Sequence, residues 1–162
     1  MCIRDRFGRI ENTTFEALRT DTDLLTDAVS AAIRVKADIV DRDEHESGDR
    51  RKLNLGHTLA HAIEKCTNRL NHGEAVAVGT ALIADASVKL GVLAAEDRDR
   101  IAGVLKKQGF DLTPPVDVKR LLKEVDKDKK NEDGMLRVVV PVGIGDCEVR
   151  RMSHDEFAAL FA

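Results

Sequence analysis

Apolar and polar positions alternate along this chain mostly with a helical period. Thr13-Thr14-Phe15-Glu16 reads as a capping box that opens a short helix through Arg19. A longer helix is predicted from about Thr22 to Asp41, with Leu25, Val29, Ala32, Ile33 and Val40 recurring at helical spacing. Lys36 falls on the same stripe, and spacing alone favours a lysine snorkelling from the edge of a core. Asp41 to Lys52 is a charged connector containing Ser47-Gly48 and reads as a loop. One helix is expected from about Lys52 to Asn68, then a break at Asn71-His72-Gly73. The next, Glu74 to Leu90, is rich in Ala and Val, ends at Gly91, and should be buried on most sides. An amphipathic helix over Asp97–Gln108 is closed by Gly109, Pro114-Pro115 marks a turn, and Asp117–Val125 is a short helix.

The period then changes. Leu136–Val142 is a β-branched run, Gly143–Asp146 a turn and Cys147–Met152 a second extended segment, which together predict a hairpin. Ser153 and Glu156 should cap a last helix reaching Phe161. The expected fold is therefore mainly α: a helical domain with one small β-hairpin near the C-terminus. The 162 residues suit one domain with a real core.

Composition narrows the classes. Aromatics are 3% of the chain, with no Trp or Tyr, so the core must be built from Leu, Ile, Val and Ala. A net charge of −3 leaves no electrostatic footprint for nucleic acid. No apolar run approaches the roughly 20 residues that span a bilayer, and no signal peptide is visible. Three scattered cysteines, Cys2, Cys66 and Cys147, argue against a disulfide framework and for a reducing, cytoplasmic setting.

Candidate chemistry concentrates between Arg50 and Glu64. If that stretch is helical, Arg50, Asn54, His57 and His61 are spaced four, three and four residues apart. At about 100° per residue they share one face within roughly 60°. An ordinary amphipathic helix exposes Lys and Glu there, not two His and an Asn. His72 opens the following helix, so His57 and His72 can converge, and two neutral imidazoles suit zinc or a similar divalent ion. A third ligand is not apparent nearby. The His57–His61 spacing resembles the helical zinc-protease motif, but Thr58 stands where the general-base glutamate would be. On geometry alone a metal site and a set of incidental histidines both remain open, and His45 and His154 read as ordinary structural histidines.

Taken together, the stretches Leu53-Asn54-Leu55-Gly56-His57-Thr58-Leu59-Ala60-His61-Ala62-Ile63-Glu64 and His72-Gly73-Glu74-Ala75-Val76-Ala77 resemble the 3-dehydroquinate synthase family. A third match is Asp128-Lys129-Lys130-Asn131, then Gly134, the strand Leu136–Pro141 and Gly143-Ile144-Gly145. The resemblance implies the family's helical carboxy-terminal domain, with His57 and His72 as two of three metal ligands. It implies that His61, Asn54, Arg50 and Lys36 contact a phosphorylated heptulosonate, and that one of Lys129 and Lys130 faces its phosphate. The implied cofactors are NAD and a divalent metal, zinc or cobalt. The implied partners are the small sugar phosphate and, in the complete protein, a second copy in a homodimer. The implied reaction is a lyase step of the shikimate route to aromatic compounds; related sugar-phosphate cyclases of the inosose or valiolone type share much of these motifs, and a metal- or phosphate-binding module without turnover is a further alternative.

Two departures stand out. No G-x-G-x-x-G and no βαβ pattern is present, so the expected organisation is residues 7–162 as the metal- and substrate-binding domain, with the family's nucleotide-binding α/β domain absent. The family's third ligand is a glutamate shortly before an aromatic-Gly pair. Here that pair is Phe7-Gly8, which puts Ile3 at the glutamate position and Arg6 at the neighbouring lysine position. Residues 1–6 are accordingly expected to be a non-family leader, and the chain as written to be inactive alone.

Overall fold

The helix that organises the molecule is the one with the smallest side chains. In the computed structural model, which describes residues 3–45, 48–127 and 134–162, it runs His72–Lys89 and buries Ala75, Ala77, Val78, Gly79, Ile83, Ala84, Ala86 and Ser87. Small residues on several sides let neighbours approach from more than one direction, as its composition predicts. Counting in chain order, the helices are α1 (Ile3–Glu11), α2 (Phe15–Thr20), α3 (Thr22–Arg42), α4 (His57–Cys66), α5 (His72–Lys89), α6 (Ala95–Lys107), α7 (Val118–Asp126) and α8 (His154–Ala159). A short 3-10 helix, Asp49–Asn54, precedes α4, and strands β1 (Met135–Gly143) and β2 (Asp146–Ser153) form an antiparallel hairpin before α8.

The core joins α4, α5, α7, the hairpin and α8. Leu59 and Ile63 of α4, Val78 and Ile83 of α5, Leu121 of α7, Val138 and Val140 of β1, Met152 of β2 and Phe157 of α8 form one buried cluster. Burying each such side chain stabilises the fold by about 1.5–3 kcal/mol before entropy is counted. The hairpin pairs Met135 with Ser153 through Pro141 with Cys147, and a bulge between Pro141 and Gly143 closes the register. Pro141 donates no amide, and it sits beside this irregularity where the ladder can spare one. Among the described residues no helix is long and apolar enough to cross a membrane.

Local capping explains several boundaries. Asn71 and Glu74 form a full capping box at the start of α5, and Ser153 and Glu156 form another at α8. Hydrogen bonds from Ser153 hold the Glu156 carboxyl below its ordinary range. At α2 the expected box is absent. Thr14 caps through the Ala17 amide at 3.1 Å, Ala17 occupies the position where a box needs Glu or Gln, and Glu16 instead pairs with Arg19.

Two further expectations change. The single helix from Lys52 to Asn68 is divided: the 3-10 turn ends at Asn54, Gly56 adopts φ 79°, and α4 begins only at His57. On α3 the stripe Leu25, Val29 and Ile33 is exposed, at 44%, 48% and 62%. The covered face is the neighbouring one, with Ala31 and Ile39 buried and Leu24, Ala28 and Val35 half-buried. Both stripes have helical period, and only the packing partners decide between them. At the other end of the fold, α1 is tied to α6 by Arg100, which grips the Glu11 carboxylate with two bonds of 2.9 Å and lowers its pKa.

The α4–α5 contact is closest at two glycines. A Cβ on Gly79 would collide with the Gly56 carbonyl oxygen, and a Cβ on Gly56 would lie 2.7 Å from the Thr80 amide nitrogen and 2.9 Å from the Val76 oxygen. In a helix interior Gly→Ala ordinarily stabilises by about 0.5–1 kcal/mol. Gly79→Ala should instead destabilise by about 2 kcal/mol or more in urea unfolding, because backbone must move to admit the methyl group. Gly103→Ala on α6, where nothing lies within 4 Å of the new Cβ, should show the ordinary stabilisation. Equal effects at the two sites would refute the close-contact account.

The hairpin also settles the state of one thiol. Cys147, the second residue of β2, is half-buried; burial first and the Asp146 charge second push its pKa up to about 11, against a smaller opposing pull from Lys52. It is therefore a protonated thiol at neutral pH. Iodoacetamide should label it in the folded chain at pH 8 at least about 10-fold more slowly than free cysteine, with the rate rising toward pH 11 and recovering on denaturation. Peptide mapping by mass spectrometry reads the result.

Candidate functional site

Three histidines carried by the first turns of two consecutive helices meet in space. His57 is the first residue of α4 and His61 lies one turn on, while His72 is the first residue of α5. The ring centres of His57 and His72 are 5.2 Å apart with planes at 62°, those of His57 and His61 5.7 Å apart, and those of His61 and His72 6.4 Å apart. The docking of Gly56 onto α5 creates this meeting, because His57 follows it directly.

The second ring nitrogens decide what the rings can offer. His57 Nδ1 lies 3.2 Å from the Leu55 carbonyl oxygen, and His72 Nδ1 lies 3.0 Å from Glu64 Oε1. A carbonyl and an ionised carboxylate only accept, so in each case Nδ1 carries the hydrogen and donates it. When neutral, both rings therefore keep a lone pair on Nε2. Two imidazoles bound through Nε2 to one tetrahedral ion, at metal–nitrogen distances of about 2.0–2.1 Å, have centres about 5 Å apart. The His57–His72 pair fits that value, and both pairs with His61 are longer. Among the described residues no three His, Cys, Asp or Glu side chains are grouped as a metal would require. The residues present thus fit two ligands of an ion, with His61 beside them.

The other expected site residues are placed differently. Asn54 ends the 3-10 helix and lines a polar cleft of ≈ 360 Å³ with His45, Arg51, Thr58 and Arg137. Arg50 is half-buried on the same turn; its guanidinium donates to the Glu44 carbonyl at 2.7 Å and its amide to Asp43 Oδ2 at 3.0 Å. The four-residue stripe of one continuous helix is therefore not formed. Of the four, only His57 and His61 share a helix face, and Arg50 and Asn54 lie on the turn before the Gly56 break. Lys36 is exposed on α3. Lys129 and Lys130 lie outside the described residues. His154, as expected of a structural histidine, is buried at the start of α8, 3.3 Å from the Asp126 carboxylate.

The residue that sequence reasoning passed over is Glu64. It was legible, since His57, His61 and Glu64 continue the spacing of four and three along one face of α4. A larger, mainly apolar cavity of ≈ 600 Å³ lies between α1, α3, α6 and the hairpin turn, lined by Phe7, Ile39, Leu53, Ile101 and Ile144 among others. It holds none of the three clustered histidines, so size alone does not locate the chemistry.

The family model for the 3-dehydroquinate synthase C-terminal domain matches residues 2–131. The 3-dehydroquinate synthase of Ruegeria sp. (strain TM1040) is 45% identical over 136 residues, covering 77% of this chain and 36% of that protein. The 3-dehydroquinate synthase of Nitrosospira multiformis is 40% identical over 146 residues, covering 88% and 40%. The chain thus spans about two fifths of the length of the curated relatives it matches. In three dimensions, 2-epi-5-epi-valiolone synthase from Streptomyces hygroscopicus subsp. jinggangensis 5008, solved with NAD+ and Zn2+ bound, superposes with a TM-score of 0.80 at 21% identity, over 97% of this chain and 45% of that one. A 2-deoxy-scyllo-inosose synthase complexed with carbaglucose-6-phosphate, NAD+ and Co2+ gives 0.74 at 22% identity, over 86% and 40%. At such identities these two establish the mainly helical fold with its C-terminal hairpin and nothing finer. With the family model covering most of its length, and relatives of that name above one third identity, the chain belongs to the 3-dehydroquinate synthase C-terminal family.

Proposed function

We propose that this chain is the metal- and substrate-binding part of a 3-dehydroquinate synthase, which converts 3-deoxy-arabino-heptulosonate 7-phosphate to 3-dehydroquinate and phosphate on the shikimate route. The observation that carries the reading is the convergence of His57, His61 and His72 within the family's own motif stretches. When bound, NAD supplies the reversible oxidation that acidifies the C–H beside a ring ketone, and a divalent ion, zinc or cobalt, polarises the hydroxyl oxygens it holds.

The chain's own residues do the rest. His57 and His72 present Nε2 lone pairs, each oriented by an acceptor on its other nitrogen. His61, exposed beside them, both donates and accepts, and can pass a proton to or from a ligand oxygen. Asn54 offers an amide from the adjoining cleft, able to bond a hydroxyl or phosphate oxygen. Arg50 and Lys36 would hold anionic ends of the substrate by charge-assisted bonds, and one of Lys129 and Lys130 its phosphate. For Arg50 this requires its guanidinium to exchange the Glu44 carbonyl for the substrate.

The test is phosphate release from the heptulosonate phosphate by a protein that carries these residues together with a nucleotide-binding domain. Release should require both NAD and zinc or cobalt. His57→Ala should lower it more than about 100-fold, because even the outer partners of metal ligands are worth about 10–100-fold. Turnover only of a different sugar phosphate would make the protein another cyclase, and binding of metal and phosphate without turnover would make it a module of a different kind. The 162-residue chain alone should release no phosphate above its His57→Ala control, since hydride transfer needs a nicotinamide held against the substrate.

A further inference from the structure

We propose that Glu64 is a positioning residue of this site: its carboxylate holds the Nδ1–H of His72 and so commits the Nε2 lone pair of that ring to the metal. The proposal rests on the reading of His57 and His72 as metal ligands and goes beyond it by assigning what orients one of them. Glu64 Oε1 stands 3.0 Å from His72 Nδ1, across the junction between α4 and α5. It lies three residues after His61 on the helix face that carries both His57 and His61.

The need for such a group follows from imidazole chemistry. A neutral histidine in water favours the tautomer with hydrogen on Nε2, which cannot ligate through that atom. An acceptor at Nδ1 reverses the preference and fixes the ring plane. The site meets this need twice by different means. For His57 the acceptor is the backbone carbonyl of Leu55, and for His72 it is a side chain. Ligand orientation by an outer carboxylate is a recurrent device in metal sites.

A plain surface ion pair is the competing account, because His72 and Glu64 side chains are 57% and 35% exposed. Such a pair contributes little to stability and has no bearing on a tautomer beyond its own bond. The α5 terminus itself does not depend on Glu64. Asn71 Oδ1 accepts from the Glu74 amide at 3.0 Å and Glu74 Oε2 from the Asn71 amide at 2.8 Å, so the backbone of His72 is anchored independently. Removing Glu64 should therefore free the ring without moving the helix.

The experiment uses the 162-residue chain, labelled with 15N, in two arms. Long-range 1H–15N correlation spectra read the tautomer of each imidazole without metal. His72 should be the Nδ1–H form in the parent chain and in Glu64→Gln, whose amide oxygen still accepts, and should revert to the Nε2–H form in Glu64→Ala, with His57 unchanged. In the second arm Co2+ is titrated and followed by its visible absorption. Glu64→Ala should weaken cobalt binding about 10–100-fold, Glu64→Gln much less, and unfolding of the metal-free chain should be nearly the same in all three. Cobalt binding that is lost in His57→Ala and in His72→Ala but unchanged in Glu64→Ala overturns this proposal alone, as does a His72 tautomer indifferent to Glu64. Cobalt binding that is absent, or indifferent to both histidine substitutions, overturns the metal reading and this proposal with it.

Discussion

The contact between Gly56 and Gly79 is the constraint on which the site depends. Each glycine occupies a place that any side chain would contest, one against the Thr80 amide and the other against the Gly56 carbonyl. Backbone meets backbone there, with none of the slack that side-chain rotamers provide. The start of α4 is consequently seated on α5 with little freedom to slide, and His57 inherits that position as the next residue. A site built to hold a ligand tolerates errors of only about 0.5 Å, so under the proposed function a rigid backbone seat for His57 is worth more than a larger apolar contact. The rest of the core, from Leu59 and Ile63 to Val138, Val140 and Phe157, keeps the two helices pressed together around this point.

The break at Leu55-Gly56 has a second consequence. In an uninterrupted helix the Leu55 carbonyl would accept from the Leu59 amide. The left-handed turn at Gly56, with φ 79°, ends that ladder and starts α4 afresh, and the Leu55 oxygen is then available to the His57 ring two residues on. One local irregularity thus supplies both the close approach to α5 and the acceptor that sets a tautomer. Glu64 does the same for His72 from a regular helix, where only a side chain can reach.

The surface of α3 shows a different kind of constraint. Its apolar residues form two adjacent stripes, and one helix cannot present both to the same neighbours. The face around Ala31 and Ile39 meets the body of the protein, and Leu25, Val29 and Ile33 remain exposed. Lys36, one turn beyond Ile33, is exposed with them, so the apolar company that suggested a snorkelling lysine does not bury it.

Local pattern was enough for most elements. The extent of α3, the Ala-rich α5, the hairpin and the capping box at Ser153 follow from period, side-chain size and cap chemistry, all of which act within a few residues. The motif stretches that carry the family membership were equally legible, including the histidines that meet. What the tertiary structure alone decided depends on residues distant in sequence. A helical period between Lys52 and Asn68 reads the same whether or not Gly56 must make room for Gly79, so the division of that helix, and with it the scattering of the Arg50–Asn54–His57–His61 stripe, could not be seen beforehand. The choice between the two faces of α3 is of the same kind. So is the engagement of His72 by Glu64: the spacing put Glu64 on the right face, but only the turn from α4 into α5 sets its carboxylate against the ring, because a hydrogen bond is formed by positions in space and a sequence records only their order.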